Sequence, residues 1–348
     1  MQQDEIVEAV GVGWVDAAGS HFAELFLHSI VVASSLNSGC TSMLTIDRIL
    51  WPTDLSEGAG RAFPHAAALA DWHDADLHIL HVGTEDMEAV GDFPLSTGTL
   101  GNYLPALEDA GPSLDVDSLS IHQERREGAA PAEMIVDYAE RTSVDLVVMG
   151  THGQRGLRRL LIGSVTEEVV RTAPCPVFTV RAGDGPAPAR KVRNILAPVD
   201  FSDASTLAVR HAKELALTYG AQVTLLHAVE EAVYPSAYGV EAAPLPSPNI
   251  VSRVEKSLAN MARDEIGYEH VMVEAKIGYA PSVILDHAET ADVDLIVIAS
   301  HGRTGLERML LGSVTERVVR RAPCPVFVVK PFGKSLILEQ RSSDASSD

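Results

Sequence analysis

Two sets of four residues share one spacing in this chain: Gly150, Gly153, Gly163 and Ser164, and again Ala299, Gly302, Gly312 and Ser313. In each set two residues lie between the first pair, nine separate the second position from the third, and a serine follows directly. Glycine lets a ligand come close to the backbone. A Gly-Ser step that opens a helix offers backbone N–H groups at the positive end of the helix dipole. The chemistry that suits such a loop is anion binding, and the phosphates of a nucleotide are the best-matched anion. Two acids complete the pattern, Asp54 and Asp200, each in a Pro-x-Asp step that ends an apolar run. They repel phosphate, so their suitable partners are ribose hydroxyls, an adenine amine or a Mg²⁺ ion.

Each of these residues has a plainer reading. Ser164-Val-Thr-Glu167 and Ser313-Val-Thr-Glu316 have the order of capping boxes, in which the serine caps its helix for about 1 kcal/mol without any ligand. Asp54 and Asp200 also suit a turn after proline. Arg155, Arg158 and Arg159 can neutralise phosphate, but Glu307 stands where the first copy has Arg158, which favours a solvated face. His81 and His227 end matching apolar runs and read as packed side chains. There is no Gly-x-x-x-x-Gly-Lys-Ser/Thr phosphate loop, no His-x-x-x-His metal pair, and nothing that resembles an activated nucleophile beside a base.

The elements that must position these residues come from a duplication. Ile49-Leu-Trp-Pro-Thr-Asp54 matches Ile195-Leu-Ala-Pro-Val-Asp200, and Val144-Asp-Leu-Val-Val-Met149 matches Val293-Asp-Leu-Ile-Val-Ile298. Within each copy, short runs rich in Val, Ile and Leu read as strands buried on both faces. Helical patterns lie between them at 56–72, 131–142 and 164–172, and at 202–219, 281–290 and 313–321. Such alternation means a parallel α/β sheet with right-handed crossovers. The fold expected is two tandem doubly wound α/β domains, each a five-stranded parallel sheet flanked by helices. Ligands of such sheets sit beyond the strand C-termini where the strand order reverses. That point lies between the first and fourth strands, so the acid and the glycine loop should face one another there. Stretches 84–118 and 230–249 break the pattern and read as surface insertions.

Gly150-x2-Gly153-x9-Gly163-Ser164, together with Pro52-Thr-Asp54, resembles the ATP-binding motif of the universal stress protein family, and the second copy matches through Pro198, Asp200, Ala299, Gly302, Gly312 and Ser313. The resemblance implies strand order 3-2-1-4-5 and ATP across the crevice. It implies that Pro52, Asp54 and Val82 line the adenosine, and that Met149, Gly150, Gly153, Gly163, Ser164, Val165 and Thr166 hold ribose and phosphates. The second-copy counterparts are Pro198, Asp200, Ala228, Ile298, Ala299, Gly302, Gly312, Ser313, Val314 and Thr315. It also implies a stress-response switch or sensor; the alternatives are a slow ATPase or nucleotidyl-group enzyme, and an interaction module that binds no nucleotide. The departure is Ala299. If its position needs φ > 0, alanine costs about 1 kcal/mol; if it needs only close approach, the methyl crowds the ligand. The second site is therefore expected to be the weaker one. In the family two fifth strands pair across a dimer, so Pro174-Cys-Pro-Val-Phe and Pro323-Cys-Pro-Val-Phe should pair here as an intramolecular pseudo-dimer, with a further homo-oligomer left open.

Composition bounds the rest. Of 348 residues, 46% are hydrophobic, enough for two cores. The net charge of −21 argues against a general nucleic-acid binder. Cys40 stands alone and Cys175 and Cys324 sit in the matching segments, which suits buried thiols in a reducing compartment rather than disulfides. No apolar run reaches membrane-spanning length, and no Lys or Arg precedes Arg48, so a cytoplasmic protein is expected, without membrane or nucleic-acid partners. The expected divisions are an extension at 1–43, domains at 44–182 and 191–331, a linker at 183–190 and a disordered tail at 332–348. Met43 reads either as the true start or as an internal residue after a native acidic extension.

Overall fold

In the computed structural model the described residues are 44–83, 93–104, 114–151, 162–181, 192–230, 248–267, 271–302 and 311–337. The extension, the linker 183–190, Cys40 and most of the two insertions lie outside them. The first apolar runs form β1 (Arg48–Thr53), β2 (Asp76–Gly83), β3 (Ile121–Glu127), β4 (Leu146–Gly150) and β5 (Val177–Val180). The second copy forms β6 (Asn194–Pro198), β7 (Gln222–Val229), β8 (Val271–Ile277), β9 (Leu295–Ala299) and β10 (Val326–Val329). Each half has the expected order 3-2-1-4-5, all parallel. The halves are not separate sheets, however. β5 and β10 pair antiparallel, with Phe178 opposite Phe327, so the molecule has one ten-stranded sheet.

Side-chain alternation explains why the central strands are apolar throughout. Leu146 and Val148 of β4 face one core together with Trp51, Phe63 and Leu77, whereas Val147 and Met149 face the other with Leu50 and Leu80. Each core runs through both copies. The outer strand β3 instead carries Gln, Glu and Arg and is only half-buried, which protects the sheet edge from foreign strands.

Helices α1 (Glu57–Gly60) and α2 (Phe63–His73) follow β1, then α3 (Thr97–Gly101), α4 (Pro131–Arg141) and α5 (Ser164–Thr172). The second half has α6 (Asp203–Tyr219), α7 (Pro248–Met261), α8 (Ala280–Thr290) and α9 (Ser313–Arg321). Ser56 and Ser202 cap α1 and α6 as expected. The helix expected over 56–72 is interrupted at Arg61 and Ala62. Pro64 has no N–H for the Gly60 carbonyl, and the second copy, with Arg210 there, runs through unbroken. Helix α7 begins at the end of the stretch read as an insertion, and among the described residues the first copy has α3 and a 3₁₀ turn at Val116–Ser118 in that place. No helix of the described residues is long and apolar enough to cross a membrane.

The seam is held by reciprocal capping. Arg181, just past β5, donates to the Arg321 and Ala322 carbonyls at the C-terminus of α9, each at 3.2 Å. Lys330, just past β10, donates to the Val170 carbonyl in α5. Each half thus places a cation on the negative end of the other half's last helix. The chain then returns to the first half. Lys334 pairs with Asp145, Leu336 is buried, and Ile337 bridges to Leu44. Within the expected tail, Leu336 and Ile337 add to the core while 332–335 are exposed, and 338–348 lie outside the described residues.

Lys330 is only 5% exposed, and burial pulls its ammonium down to about 8 although the nearby Cys175 thiol acts the other way. The unfolded lysine titrates near about 10.4. Below about pH 8 both states are charged and the burial penalty stands in full. Between about 8 and about 10.4 the unfolded state holds more protons, so stability gains with rising pH. Lys330→Met removes that gain. The wild type should therefore improve relative to the variant between about pH 7.5 and about pH 10 in urea unfolding; an unchanged difference would mean a hydrated ammonium.

Candidate nucleotide crevices

The β1–β4 ladder closes at only two positions, Ile49 with Leu146 and Leu50 with Val147. The β1–β2 ladder continues to Thr53 and His81. Beyond Leu50, therefore, β1 and β4 part, and a gap opens at the reversal of strand order. The second half repeats this, with Ile195 on Leu295 and Leu196 on Ile296. Proline helps to set the gap. Val199 donates to Leu226 on β7, so strand alternation turns the nitrogen of Pro198 towards β9, where it has no proton to give. Pro52 holds the matching place in β1.

The glycine loop leaves β4 at Gly150 and re-enters at α5, and its neck is tied twice. The Gly163 N–H donates to the Thr151 carbonyl at 2.8 Å, and the Thr166 hydroxyl to the Gly150 carbonyl at 2.9 Å. In the second copy Gly312 donates to Ser300 at 2.8 Å and Thr315 to Ala299 at 2.7 Å. These bonds overturn the capping-box reading. Gly163 and Gly312 are the N-caps, and neither helix start has a side-chain cap. Ser164 is then the first helical residue and Glu167 the fourth, one position too late for the reciprocal bond. The N3 side chain is Thr166, and it turns to the strand. Helix geometry leaves the N–H groups of Ser164, Val165 and Thr166 without intrahelical acceptors. Ser164 and Ser313 are exposed at the mouth.

Asp54 and Asp200 form turns, each accepting from the N–H two residues on through Oδ1, at 3.0 Å in both copies. Leu55 and Phe201 between them take left-handed φ of 61° and 62°. In the second copy the other oxygen lies over the glycine loop: a Cβ added to Gly302 would stand 2.5 Å from Asp200 Oδ2. In the second copy Oδ1 thus makes the turn while Oδ2 lies against the glycine loop. His81 and His227 bond through Nδ1 to the carbonyls of Thr53 at 3.0 Å and Val199 at 2.7 Å. They fix the end of the first strand in each half, as packed histidines. Tyr103 lies at the first crevice, where burial and then the Asp54 charge push its hydroxyl up.

Val82, Ala228, Val165 and Val314 are half-buried and pack on the core beside α5 and α9, next to Met149 and Ile298. Gly153, Arg155, Arg158, Arg159 and Glu307 lie outside the described residues.

Gly150 has a reason that the sequence did not give. Its φ is not positive, and it is the last residue of a regular strand. A Cβ there would collide with the Gly58 carbonyl of α1. Helix packing within its own half therefore demands glycine at this position. At the matching place the second copy pairs Ala299 with Ala204, and Ala299 is buried in β9.

Fold and site together define a tandem doubly wound α/β protein with two switch-point crevices, each with a glycine-capped helix start and a Pro-x-Asp turn at the end of its first strand. Residues 45–181 and 191–330 each match the Universal stress protein family, and the chain belongs to it. A universal stress protein of Mycolicibacterium smegmatis is 28% identical over 298 residues, covering 81% of this chain and 97% of that one. Universal stress protein MJ0531 of Methanocaldococcus jannaschii is 36% identical over 139 residues, 38% of this chain and 81% of that one. The crystal structure of a universal stress protein from Archaeoglobus fulgidus DSM 4304 has the same fold, with a TM-score of 0.54 and 22% identity over 81% of this chain and 98% of that one.

Gly150→Ala should lower the unfolding free energy by about 1–3 kcal/mol, as overpacking does. Ala299→Gly should change it by about 1 kcal/mol or less. Thermal or urea unfolding measures both, and a Gly150→Ala protein of undiminished stability would refute the packing role.

Proposed function

We propose that each crevice takes an adenine nucleotide, ATP with or without Mg²⁺, and that the chain is a nucleotide-dependent switch in a stress response rather than a fast enzyme. The observation that carries this reading is the helix start without a side-chain cap at an opened β1–β4 ladder, present in both halves. Phosphates would meet the N–H groups of Ser164, Val165 and Thr166 in one half and of Ser313, Val314 and Thr315 in the other. The cradle suits close approach, since a side chain at Gly302 would run into Asp200, and one at Gly163 would press on the Thr151 carbonyl at 3.2 Å. The carboxylates of Asp54 and Asp200 would accept from ribose hydroxyls or the adenine amine, or hold Mg²⁺. The adenine would lie against Val82 and Met149, or Ala228 and Ile298. Thr166 and Thr315 would contribute backbone N–H groups only, because their hydroxyls are bound to the strand. In the second crevice the Ser300 hydroxyl meets the His301 imidazole at 2.8 Å, but Ser300 is fully buried, and the Ser202 hydroxyl that meets Asp200 at 2.5 Å serves as the cap of α6, which favours a switch over rapid turnover.

Calorimetric titration of the full chain with ATP tests this. Two sites are expected, and Gly163→Val or Gly302→Val should each remove one while binding at the other site persists, which reports an intact fold. No ATP binding by the wild type, or unaltered stoichiometry in both variants, would refute the assignment. Sustained ADP release would favour the slow-ATPase reading.

A further inference from the structure

At the opposite end of the first half's sheet, the N-terminal ends of β2 and β3, we infer a binding site for a divalent transition metal, formed by Asp76, His78 and His122. Asp76 and His78 are two apart on β2 and so point to one face. His122 pairs in register with His78, which brings it to that same face. One ligand atom from each residue lies within 4.8 Å of the others. Asp76 Oδ1 and His122 Nε2 are 3.7 Å apart, and the two imidazoles stack with centroids at 4.9 Å.

His78 is the second, independent sign. It is only 9% exposed, and its Nε2 is buried with no hydrogen-bond partner. Leaving a polar atom so placed is unfavourable unless something occupies its lone pair. Its Nδ1 meets the hydroxyl of Tyr138, from α4, at 2.8 Å. That bond can fix the tautomer with Nδ1 protonated and Nε2 free to ligate, the outer contact that metal-bound histidines make. Ser120 donates to Asp76 Oδ1 at 2.6 Å and orients the carboxylate in the same way. Two imidazoles and one carboxylate suit borderline divalent ions, zinc first, with a fourth position left to solvent on the exposed His122 side. Arg48 neighbours Asp76 in register, but its guanidinium is drawn to the Thr142 carbonyl at 3.2 Å.

The duplication supplies a control. At the register positions of Asp76, His78 and His122 the second copy has Gln222, Thr224 and Met272. The site is thus a property of one half, not of the repeated unit, and it shares no residue with either crevice.

The test is a zinc titration of the chelator-stripped full chain against a chromophoric competitor, repeated with His122→Ala and Asp76→Asn. His122 is exposed, so its removal should leave the fold intact. One site is expected, weakened roughly tenfold or more in each variant, and cobalt(II) in its place should give the visible absorption of a four-coordinate ion. Zinc binding that is absent, or equal in wild type and His122→Ala, would overturn the proposal and mean only diffuse attraction to an acidic surface.

Discussion

The antiparallel pairing of β5 with β10 is the constraint on which the rest of the molecule depends. Each strand is a short apolar segment that would otherwise end its sheet with unpaired backbone groups, the arrangement most open to aggregation. Joining the two edges removes both at once and leaves the charged β3 as one outer border. Because the pair is antiparallel, the strand directions of the two halves are opposed. The C-terminal ends of β1 and β4 therefore point one way, and those of β6 and β9 the other. Two ligands, one per crevice, would then lie at opposite ends of a common sheet with continuous cores on both faces. The crossed capping by Arg181 and Lys330 follows from the same reversal, since only an antiparallel seam carries the residue after each fifth strand to the foot of the other half's last helix.

The fold was legible in the sequence wherever it rested on periodicity and repetition. The strands and the bounds of α5 and α9 follow from apolar runs, Gly-Ser starts and proline stops, whereas the strand order and the pairing of the fifth strands came from the resemblance to the family. What was not legible rested on register between distant segments. Capping boxes at Ser164 and Ser313 have the right residues in the right order, yet the helix begins one residue earlier than a box requires, on the serine itself. The neck bonds from Gly163 to Thr151 and from Thr166 to Gly150 decide this, and both join positions that only the folded loop brings together. The same holds for His78 and His122. They are 44 positions apart and have no ligand spacing to read, and only the β2–β3 register sets them side by side. Asp145 is a third case. Within a repeated Val-Asp-Leu step it looks like part of a strand, but its carboxylate receives the Asp47 and Arg48 N–H groups at 2.9 and 2.8 Å, as Asp294 receives those of Arg193 and Asn194.

The inequality of the two copies takes a different form from the one the motif suggests. A missing first glycine in the second copy points to a damaged ligand site. In the structure that glycine is one of several linked differences on the helix side of the sheet. The first half has Trp51, whose indole N–H donates to the Ala59 carbonyl at 3.0 Å and whose ring packs tilted on Phe63 and edge-on to Tyr103. It has Gly58 against Gly150, Gly60 beneath the Tyr103 ring, and Pro64 interrupting the helix. The second half has Ala197, Ala204, Ala299, Thr206 and Arg210 at the corresponding places, and its helix is unbroken. Bringing α1 close enough for the Trp51 bond forces backbone against backbone at Gly58 and Gly150, and only glycine fits such an approach. Without the tryptophan, no such approach is imposed and alanine is accommodated. The parts that would meet an anion do not share this divergence. Both halves keep a glycine N-cap, a threonine at N3 bound to the strand, and an opened ladder beside the acid. A motif glycine therefore reports on a ligand only when the atom that its missing Cβ would strike belongs to the ligand's side of the crevice. By that criterion Gly302 speaks for the site, and the exchange of Gly150 for Ala299 speaks for the packing of a helix.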